Sequence, residues 1–218
     1  MLEKLISGGY MMIPLMSCSV FMLAVLIERG MAFYRYGKLD IPTLRAKILA
    51  LIGEDRVDEA MTVCASTPSP VSAVLLVGLQ TYQRTQAVNA SVESQRTMMQ
   101  KAMDDFTPHA IHACEMRLNW LATISNVAPL FGMTGTVTGM IRSFGSLSGA
   151  GSLDAGVVGA GISEALVATA SGLVIALLSL IPYNGFMNRV EKINLEIGEA
   201  ASELVEFICL RRERDTKR

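Results

Sequence analysis

The chain contains 218 residues, of which 51% are hydrophobic, and its mean hydropathy is +0.40. This composition is typical of a membrane protein rather than of one or two water-soluble domains. The formal net charge is −1 and no segment interleaves basic with aromatic residues, which argues against a nucleic-acid-binding protein.

The first apolar segment follows a short and nearly neutral stretch at residues 1–9. Residues 10–27 have about the minimum length for a helix that crosses a bilayer. A cleaved signal peptide is the alternative interpretation. However, a single Lys precedes the segment, and Glu28 and Arg29 follow it where small residues would mark a cleavage site. The pattern therefore favours an uncleaved first transmembrane helix.

The segment at residues 28–117 is charged and has apolar residues at helical spacing, which predicts a water-exposed helical domain. Residues 41–67 predict a helical hairpin that is broken at Gly53 and its two acidic neighbours and ends before Pro68. Residues 71–82 are apolar but too few to cross a bilayer, so they predict a buried helix.

Residues 91–119 contain no glycine, and they predict one long helix that continues into the second span. Pro108 is the expected position of a kink in this helix. His109, His112 and Glu115 share helical spacing, but this set is a weak metal candidate, and we expect no metal and no cofactor. The four cysteines lie far apart and are expected to be separate reduced thiols.

Two further apolar segments predict a second transmembrane helix at residues 118–142 and a third at 157–188. A loop rich in Gly and Ser, residues 143–156, joins them. Residues 189–218 predict an amphipathic helix that ends in a solvated, frayed basic tail. The expected fold is therefore an all-α membrane protein with three transmembrane helices, whose long helices extend into a cytoplasmic helical domain.

The distribution of basic residues predicts the orientation of these spans. Most Lys and Arg residues that lie near span ends belong to residues 28–117 or to the C-terminal segment. The positive-inside rule places both of these segments in the cytoplasm. The N-terminus and the loop at residues 143–156 are then expected on the periplasmic side.

The second predicted span carries a narrow stripe of small and polar residues, in which Gly132, Thr136, Gly139 and Ser143 follow steps of three or four residues. Gly135 and Gly139 form a GxxxG pair, which is a weak signal because close helix packing explains it without transport. Pro129 should free the backbone carbonyl of Ser125 one turn earlier.

The third predicted span has a similar strip of small residues: Gly161, Ala165, Ala168, Thr169, Gly172 and Ala176. Residue spacing alone does not decide between two roles for the threonines of the second and third predicted spans. The hydroxyls of Thr136 and Thr169 can line a pore, or each can bond to a carbonyl of its own helix.

Glu164 is the one carboxylate within the two later spans. A charge near the centre of a span costs about 2.5–3.5 kcal/mol on insertion scales, so such a residue is a functional-site candidate by default. A shallow position near the outer end of the helix is the alternative. Glu164 and Thr169 lie about 140° apart around an ideal helix and need not face the same side.

The chain has no phosphate-binding GxxxxGK[ST] motif, no HExxH motif and no Ser-His-Asp set, so we expect no enzymatic activity. Any mechanical or transport work must therefore draw on a source other than nucleotide hydrolysis. Because each charge that moves through a membrane potential releases about 2.3 kcal/mol per 100 mV, an ion gradient is a sufficient source.

The segment APLFGMTGTVTGMIRSF at residues 128–144, followed by GISEALVATASGLVIALLSLIPYN at residues 161–184, resembles the MotA/TolQ/ExbB proton-channel family. The resemblance is strongest to the ExbB and TolQ members. Their pattern is roughly APLLGLLGTVxGMIxxF followed by GIxEALxxTAxGLxxAIPxxxxYN. The close match covers about a third of the chain, and the three-span layout extends it to nearly the whole.

This resemblance implies a homopentamer in the inner membrane that encloses a dimer of a single-span partner of the ExbD or TolR kind. It also implies that the proton-motive force, with sodium left open as the ion, drives work at the cell envelope. The proton-carrying carboxylate would belong to the partner. Thr136 and Thr169 would face the partner helix, and Glu164 would take the position of the family's third-span glutamate.

The chain departs from the family pattern at two places in the third span. The family's sequence AIP corresponds here to ALL at residues 176–178, and the nearest proline follows four residues later, at Pro182. In addition, Ala168 stands where many relatives have a second threonine, which should remove one hydroxyl from the lumen. A non-conducting membrane scaffold and a flagellar-stator-type subunit remain as alternatives. The stator type is disfavoured because it has four spans.

Overall fold

The computed structural model describes residues 9–88, 90–150 and 155–216, and within these residues it contains helices and no strands. The helices are α1 (Met12–Gly37), α2 (Ile41–Gly53), α3 (Val57–Ser66), α4 (Pro70–Ala87), α5 (Val92–Glu115), α6 (Leu118–Ala150) and α7 (Ala155–Thr216). The expected all-helical class is confirmed for this part of the chain. Residues 1–8 of the predicted periplasmic N-terminus, residues 151–154 of the predicted loop, and residues 217–218 of the predicted tail lie outside the described residues.

The chain divides into two compact units, and α1 and α7 each contribute residues to both. The first unit contains the described residues up to Met31 together with Arg117–Phe186. It therefore consists of most of α1, all of α6 and the first half of α7. The second unit contains Ala32–Met116 and the described part of the segment from Met187 onward.

In the first unit, α1 runs antiparallel to α6. Near the start of α1, Met11 lies beside Gly135, and further along Phe21 packs edge-on against Trp120, with ring centroids 5.3 Å apart. At the end of the apolar part of α1, the Glu28 carboxylate forms an ion pair with the guanidinium of Arg117. Residues later in α1 therefore contact residues earlier in or before α6, so the two helices are antiparallel.

Two helices in the described part of the chain are long and apolar enough to cross a membrane: α1, over Met12–Gly37, and the Val158–Arg214 portion of α7. Helix α6 is not among them, so the expected set of three spans is not confirmed by this criterion. The reason lies in its composition. Thr, Ser, Asn and Gly recur along α6 and dilute its apolar residues, such as Leu130 and Val137.

The second unit confirms the predicted hairpin, since α2 ends at Gly53 and α3 begins at Val57. The carboxylate of Asp40 caps α2 by accepting from the backbone N–H of Thr43 at 3.3 Å. Between the two helices, Asp55 adopts φ +68°, a left-handed conformation that Asp tolerates better than most residues. The acidic turn that breaks the predicted pattern is therefore where the backbone reverses.

Helix α4 is a buried helix, as expected for an apolar segment too short to cross a bilayer. Val71, Val74, Leu75 and Leu79 are each at most 2% exposed. Gly78 lies where α4 meets two other helices, because a Cβ added there would contact Met103 of α5 and Leu204 of α7. The core of the second unit therefore forms where α4, α5 and the second half of α7 converge.

Several predicted boundaries differ from those observed. The expected single helix over residues 91–119 is interrupted, since α5 ends at Glu115 and α6 begins at Leu118, and nothing in the local sequence explains the break. Both ends of the predicted loop at residues 143–156 are helical instead, because α6 continues to Ala150 and α7 begins at Ala155. Gly and Ser lower helix propensity there, but neither blocks helical hydrogen bonding as proline does.

The expectation of a frayed basic tail is wrong for its described residues. Helix α7 continues through Pro182 without interruption and ends at Thr216. Arg211 donates to the backbone carbonyl of Ile52 and to Asp55 Oδ1, and Arg212 donates to Gln95 Oε1 at 2.6 Å. These side chains hold the end of α7 against the hairpin and against α5. The amphipathic pattern upstream is confirmed, with Val190, Ile193, Ile197, Leu204 and Ile208 buried.

Candidate functional site

Helices α6 and α7 contact each other through the small residues that the sequence identified. A Cβ added at Gly172 would lie only 2.6 Å from the carbonyl oxygen of Ala128, and one added at Gly132 would lie 3.0 Å from the Cα of Thr169. The two backbones are therefore close enough at this level that a methyl group does not fit between them. Glycine is required here because of space and not because of its conformational freedom.

The same close packing continues toward the other end of α6. A Cβ added at Gly135 would lie 2.8 Å from the Cβ of Ala168, and one added at Gly139 would lie 2.9 Å from that of Ala165. Further along, one added at Gly161 would overlap the Ser143 hydroxyl. The partners on α7 move backwards as the chain advances along α6, so the helices are antiparallel. Gly132, Gly135, Gly139, Ala165 and Gly172 all lie in this contact between α6 and α7, and the functional role expected of them stays a prediction.

The observed contacts change the interpretation of Ala168. This residue is fully buried against α6. A threonine hydroxyl at position 168 would therefore meet the neighbouring helix of the same chain. The inference that Ala168 removes a hydroxyl from a lumen is wrong, because spacing along α7 alone could not show which side of the helix α6 covers.

The two span threonines use their hydroxyls differently. Thr136 donates to the carbonyl of Met133 in its own helix at 2.7 Å. Thr169 instead donates across the helix pair to the carbonyl of Gly132 at 2.8 Å. Both residues are partly exposed. Thr136 thus bonds within its own helix, whereas Thr169 makes a contact that neither alternative described. A pore-lining role for the two residues stays a prediction.

A second hydrogen bond between α6 and α7 was not anticipated from the sequence. Ser179 is fully buried and donates to the carbonyl of Leu121 at 2.8 Å. The available signal was its spacing, because Ser179 follows Ala176 by three residues and so extends the strip of small residues on α7. Together with the bond from Thr169, it holds the helix pair at two levels ten residues apart along α7.

Glu164 lies near the beginning of α7 and its side chain is 33% exposed. Its Oε1 atom is 3.8 Å from Nη1 of Arg142, a residue of α6 whose side chain is 68% exposed. Gly9, which precedes α1, has φ +72° and lies against the Glu164 carboxylate so closely that a Cβ there would overlap it. Glu164 therefore lies at one end of the first unit, between Arg142 of α6 and the residue that precedes α1 by three positions. It is separated from the contact between Thr169 and Gly132.

Pro129 lies within α6 and does not end it. It follows Ala128, the residue whose carbonyl oxygen approaches Gly172 most closely. In the second unit, His109, His112 and Glu115 lie on α5. No three His, Cys, Asp or Glu side chains come together as a metal site anywhere in the described ranges.

The exposed surface of α6 is mostly apolar. Leu130, Met133, Val137 and Ile141 are between 52% and 67% exposed, and they lie on the side of the helix away from the small residues. Exposed apolar side chains in such number indicate contact with lipid or with other helices rather than with water. The first unit therefore presents apolar surface outward and reserves its small residues for contact between its own helices.

Comparison with known proteins agrees with this picture. Residues 66–199, more than half of the chain, match the model of the MotA/TolQ/ExbB proton channel family. The chain is similar to the Tol-Pal system protein TolQ of Haemophilus influenzae, with 33% identity over 62% of this chain and 60% of that protein. It is also similar to the biopolymer transport protein ExbB of Neisseria gonorrhoeae, with 29% identity over 88% of this chain and 86% of that protein.

A third relative is a putative ExbB-like biopolymer transport protein of Synechocystis, with 29% identity over 84% of this chain and 69% of that protein. The match to TolQ thus spans less than two thirds of the relative's length, whereas the match to the Neisseria protein extends over most of both chains. The family model covers α4, α5, α6 and most of α7. The chain therefore belongs to the MotA/TolQ/ExbB proton channel family.

Proposed function

We propose that this chain is the channel-forming subunit of an ion-driven motor in the inner membrane. It assembles as a homopentamer around a dimer of a single-span partner of the ExbD or TolR kind. The proton-motive force supplies the energy, and the partner transmits it to work at the cell envelope. The chain itself is not an enzyme, and it uses the coupling ion in place of a cofactor.

One observation carries this proposal. The two segments that resemble the family motif pack directly on each other in the first unit, with Gly132 against Thr169 and Gly172 against Ala128. The match to the family model includes both segments. Their packing on each other therefore gives a physical reason for the residues of the motif. The motif builds a closely spaced pair of helices.

The proposed topology has three spans, with the N-terminus periplasmic and the C-terminus cytoplasmic. In support, α6 lies antiparallel to α1 and α7 and has exposed apolar residues such as Met133 and Val137. A helix with this surface beside two helices that can cross a membrane is more stable in lipid than in water. The small residues of α6 face α7 and not the lipid.

In the proposed mechanism, Thr136 contacts the partner helix, and Thr169 holds α7 in register with α6 beside it. The proton-carrying carboxylate lies on the partner. Glu164 acts as a supporting residue at the periplasmic end, where Arg142 offsets its charge. A carboxylate that is partly exposed and close to an arginine costs less in a membrane than an isolated one.

The test is proton flux into liposomes that contain the chain together with its single-span partner. We expect flux with both proteins present, and a loss of most flux for Thr136→Val and for Glu164→Ala. Replacing the proton gradient with a sodium gradient identifies the coupling ion. The motor function would be overturned if no flux occurs under both the proton gradient and the sodium gradient. It would also be overturned if the Thr136→Val and Glu164→Ala variants keep the full rate of ion flux.

Thr134 offers a matched control for Thr136. Its hydroxyl also donates to a carbonyl of its own helix, that of Leu130 at 2.8 Å, but the residue lies on the opposite side of α6 and is exposed. Thr134→Val should therefore leave flux unchanged while making the same chemical change. If Thr134→Val and Thr136→Val reduce ion flux equally, the reduction comes from a general change in α6 and not from the loss of a specific contact of Thr136.

A non-conducting scaffold is the second candidate function, and one observation favours it. The Thr169 hydroxyl is already engaged by Gly132, and the small residues of both helices are used within the chain. A scaffold would bind the partner but pass no ions. Co-purification of the partner in the absence of flux would identify it.

A further inference from the structure

The second unit contains a cavity of about 620 Å³ that lies where two helices leave their apolar segments. It is formed by the last residues of α1, the start of α2 and the part of α7 that follows residue 188. Its charged and hydroxyl-bearing lining residues are Tyr36, Lys38, Asp40, Arg189, Lys192 and Glu196.

The two acidic residues of this cavity are already engaged on their own helices. Asp40 accepts from both the backbone N–H and the hydroxyl of Thr43 as the cap of α2. Glu196 lies 3.9 Å from Lys192, one helical turn away. An ion pair this long and this close to solvent contributes little to stability, so Lys192 can turn to a stronger anionic partner at little cost.

Two of the basic residues, unlike Lys192, make no ion pair with a carboxylate of the cavity. Arg189 is exposed and makes no ion pair or hydrogen bond within the described part of the chain. Lys38 is also exposed, and its ammonium lies over the ring of Tyr34, 4.7 Å from the ring centroid. The cavity therefore combines an uncommitted guanidinium with two ammonium groups, and its net charge is positive.

The position of the cavity along the chain suggests what binds there. Lys38 follows α1, a helix that can cross a membrane, and Arg189 follows the strongly apolar first half of α7. Basic pockets at the cytoplasmic ends of membrane helices recognise anionic lipid head groups. Arginine forms two parallel hydrogen bonds to a phosphate, and lysine adds a compact positive charge.

We propose that this cavity binds the phosphate head group of an anionic phospholipid from the cytoplasmic leaflet, with Arg189 as the main ligand and Lys38 and Lys192 as supporting charges. This site rests on the proposed function only for its orientation, because residues 38 and 189 must lie at the cytoplasmic surface. The lipid fixes the ends of α1 and α7 relative to the bilayer. No ion flux and no partner protein are required for binding.

The test uses the full chain purified in a mild detergent and stripped of lipid, with phosphatidylglycerol and phosphatidylcholine as the probes. Native mass spectrometry measures how many molecules of each lipid remain bound per chain as the concentration rises. We expect saturable binding of phosphatidylglycerol and weaker binding of phosphatidylcholine. R189Q/K192Q should weaken phosphatidylglycerol binding roughly thirtyfold, since each basic residue near a membrane surface contributes about fivefold to the affinity.

A second charged cavity on α5 supplies the matched control. Arg96 and Lys101 line it together with Glu93, Asp104 and Asp105, so that its net charge is negative. R96Q/K101Q removes the same two charges from the protein and should leave phosphatidylglycerol binding unchanged. The charge-preserving exchange R189K/K192R should restore most of the binding, which separates a head-group contact from a general loss of folding.

The proposal would be overturned by equal affinity for the two lipids, by equal losses for R189Q/K192Q and R96Q/K101Q, or by unchanged binding in R189Q/K192Q. Displacement of the lipid by excess inorganic phosphate alone would indicate a site for free phosphate instead. The result is independent of the flux measurement. Lipid binding in the absence of ion flux would support the lipid site and contradict only the motor function.

Discussion

The Thr169 hydroxyl donates a hydrogen bond to the backbone carbonyl of Gly132, and the two oxygen atoms lie 2.8 Å apart. The bond is possible because Gly132 has no side chain, which lets the Cα of Thr169 approach the backbone of α6. A hydrogen bond between helices in a membrane contributes about 0.6 kcal/mol on average and up to about 1.7 kcal/mol. This relationship links the small-residue stripe of one helix to the threonine of the other.

We expect Thr169→Val to lower the free energy of unfolding by about 0.6–1.7 kcal/mol, because valine keeps the shape of threonine but cannot donate to Gly132. Thr169→Ser should retain most of the stability. The measurement is denaturant-induced unfolding in detergent micelles. Thr136→Val is the control, because its hydroxyl bonds only within α6. Equal losses for Thr169→Val and Thr136→Val would contradict the role of the bond between helices.

Gly172→Ala should destabilise the first unit, because the new Cβ would lie 2.6 Å from the carbonyl oxygen of Ala128, a backbone atom that cannot move independently. Gly185 lies on the same helix with no atom within 4 Å of an added Cβ. Gly185→Ala should therefore be neutral or stabilising by up to about 1 kcal/mol, since alanine favours helix over glycine. Thermal unfolding of both variants checks the contrast, and a stable Gly172→Ala would show that α6 and α7 can separate freely.

Gln95→Ala should destabilise the second unit by about 1–3 kcal/mol, because it removes a buried amide with partners on two helices. The Gln95 side chain is 1% exposed, donates to Thr85 Oγ1 at 2.9 Å and accepts from Arg212 at 2.6 Å. Gln100 is exposed on the same helix, so Gln100→Ala is the matched control. Limited proteolysis should also cut the Gln95→Ala variant faster near the end of α7. Equal stability of the two variants would mean that Arg212 does not depend on Gln95 for its position.

The Cys64 thiol gives a pH-dependent prediction. Burial raises its pKa from 9.0 to about 11, because the thiolate loses hydration. A pKa that is higher in the folded state contributes stability below pH 9, and this contribution is lost as the pH rises from 9 to about 11. The difference in unfolding free energy between wild type and Cys64→Ala should therefore narrow over this range. The rate of Cys64 alkylation should remain low until the pH approaches 11, and fast labelling at pH 8 would contradict the burial.

Several features could be predicted from residue spacing because they are local. The break at Gly53 and its acidic neighbours predicted the hairpin of α2 and α3, and the length of the apolar segment at residues 71–82 predicted the buried helix α4. Apolar residues at three- and four-residue steps likewise predicted the buried face of α7, including Ile193 and Leu204. Each of these depends on the order of residues within one helix or one turn.

The sequence by itself determined that the chain belongs in a membrane, that its described part is helical, and that α6 and α7 each carry a strip of small residues. Only the tertiary structure decided what each strip meets: Gly132 meets Thr169, Gly135 meets Ala168, and Ser179 bonds to Leu121. It also placed Arg211 and Arg212 against other helices rather than in solvent. The physical reason is that helical periodicity specifies which residues share a face, whereas the identity of the opposing surface depends on packing between segments far apart in the chain.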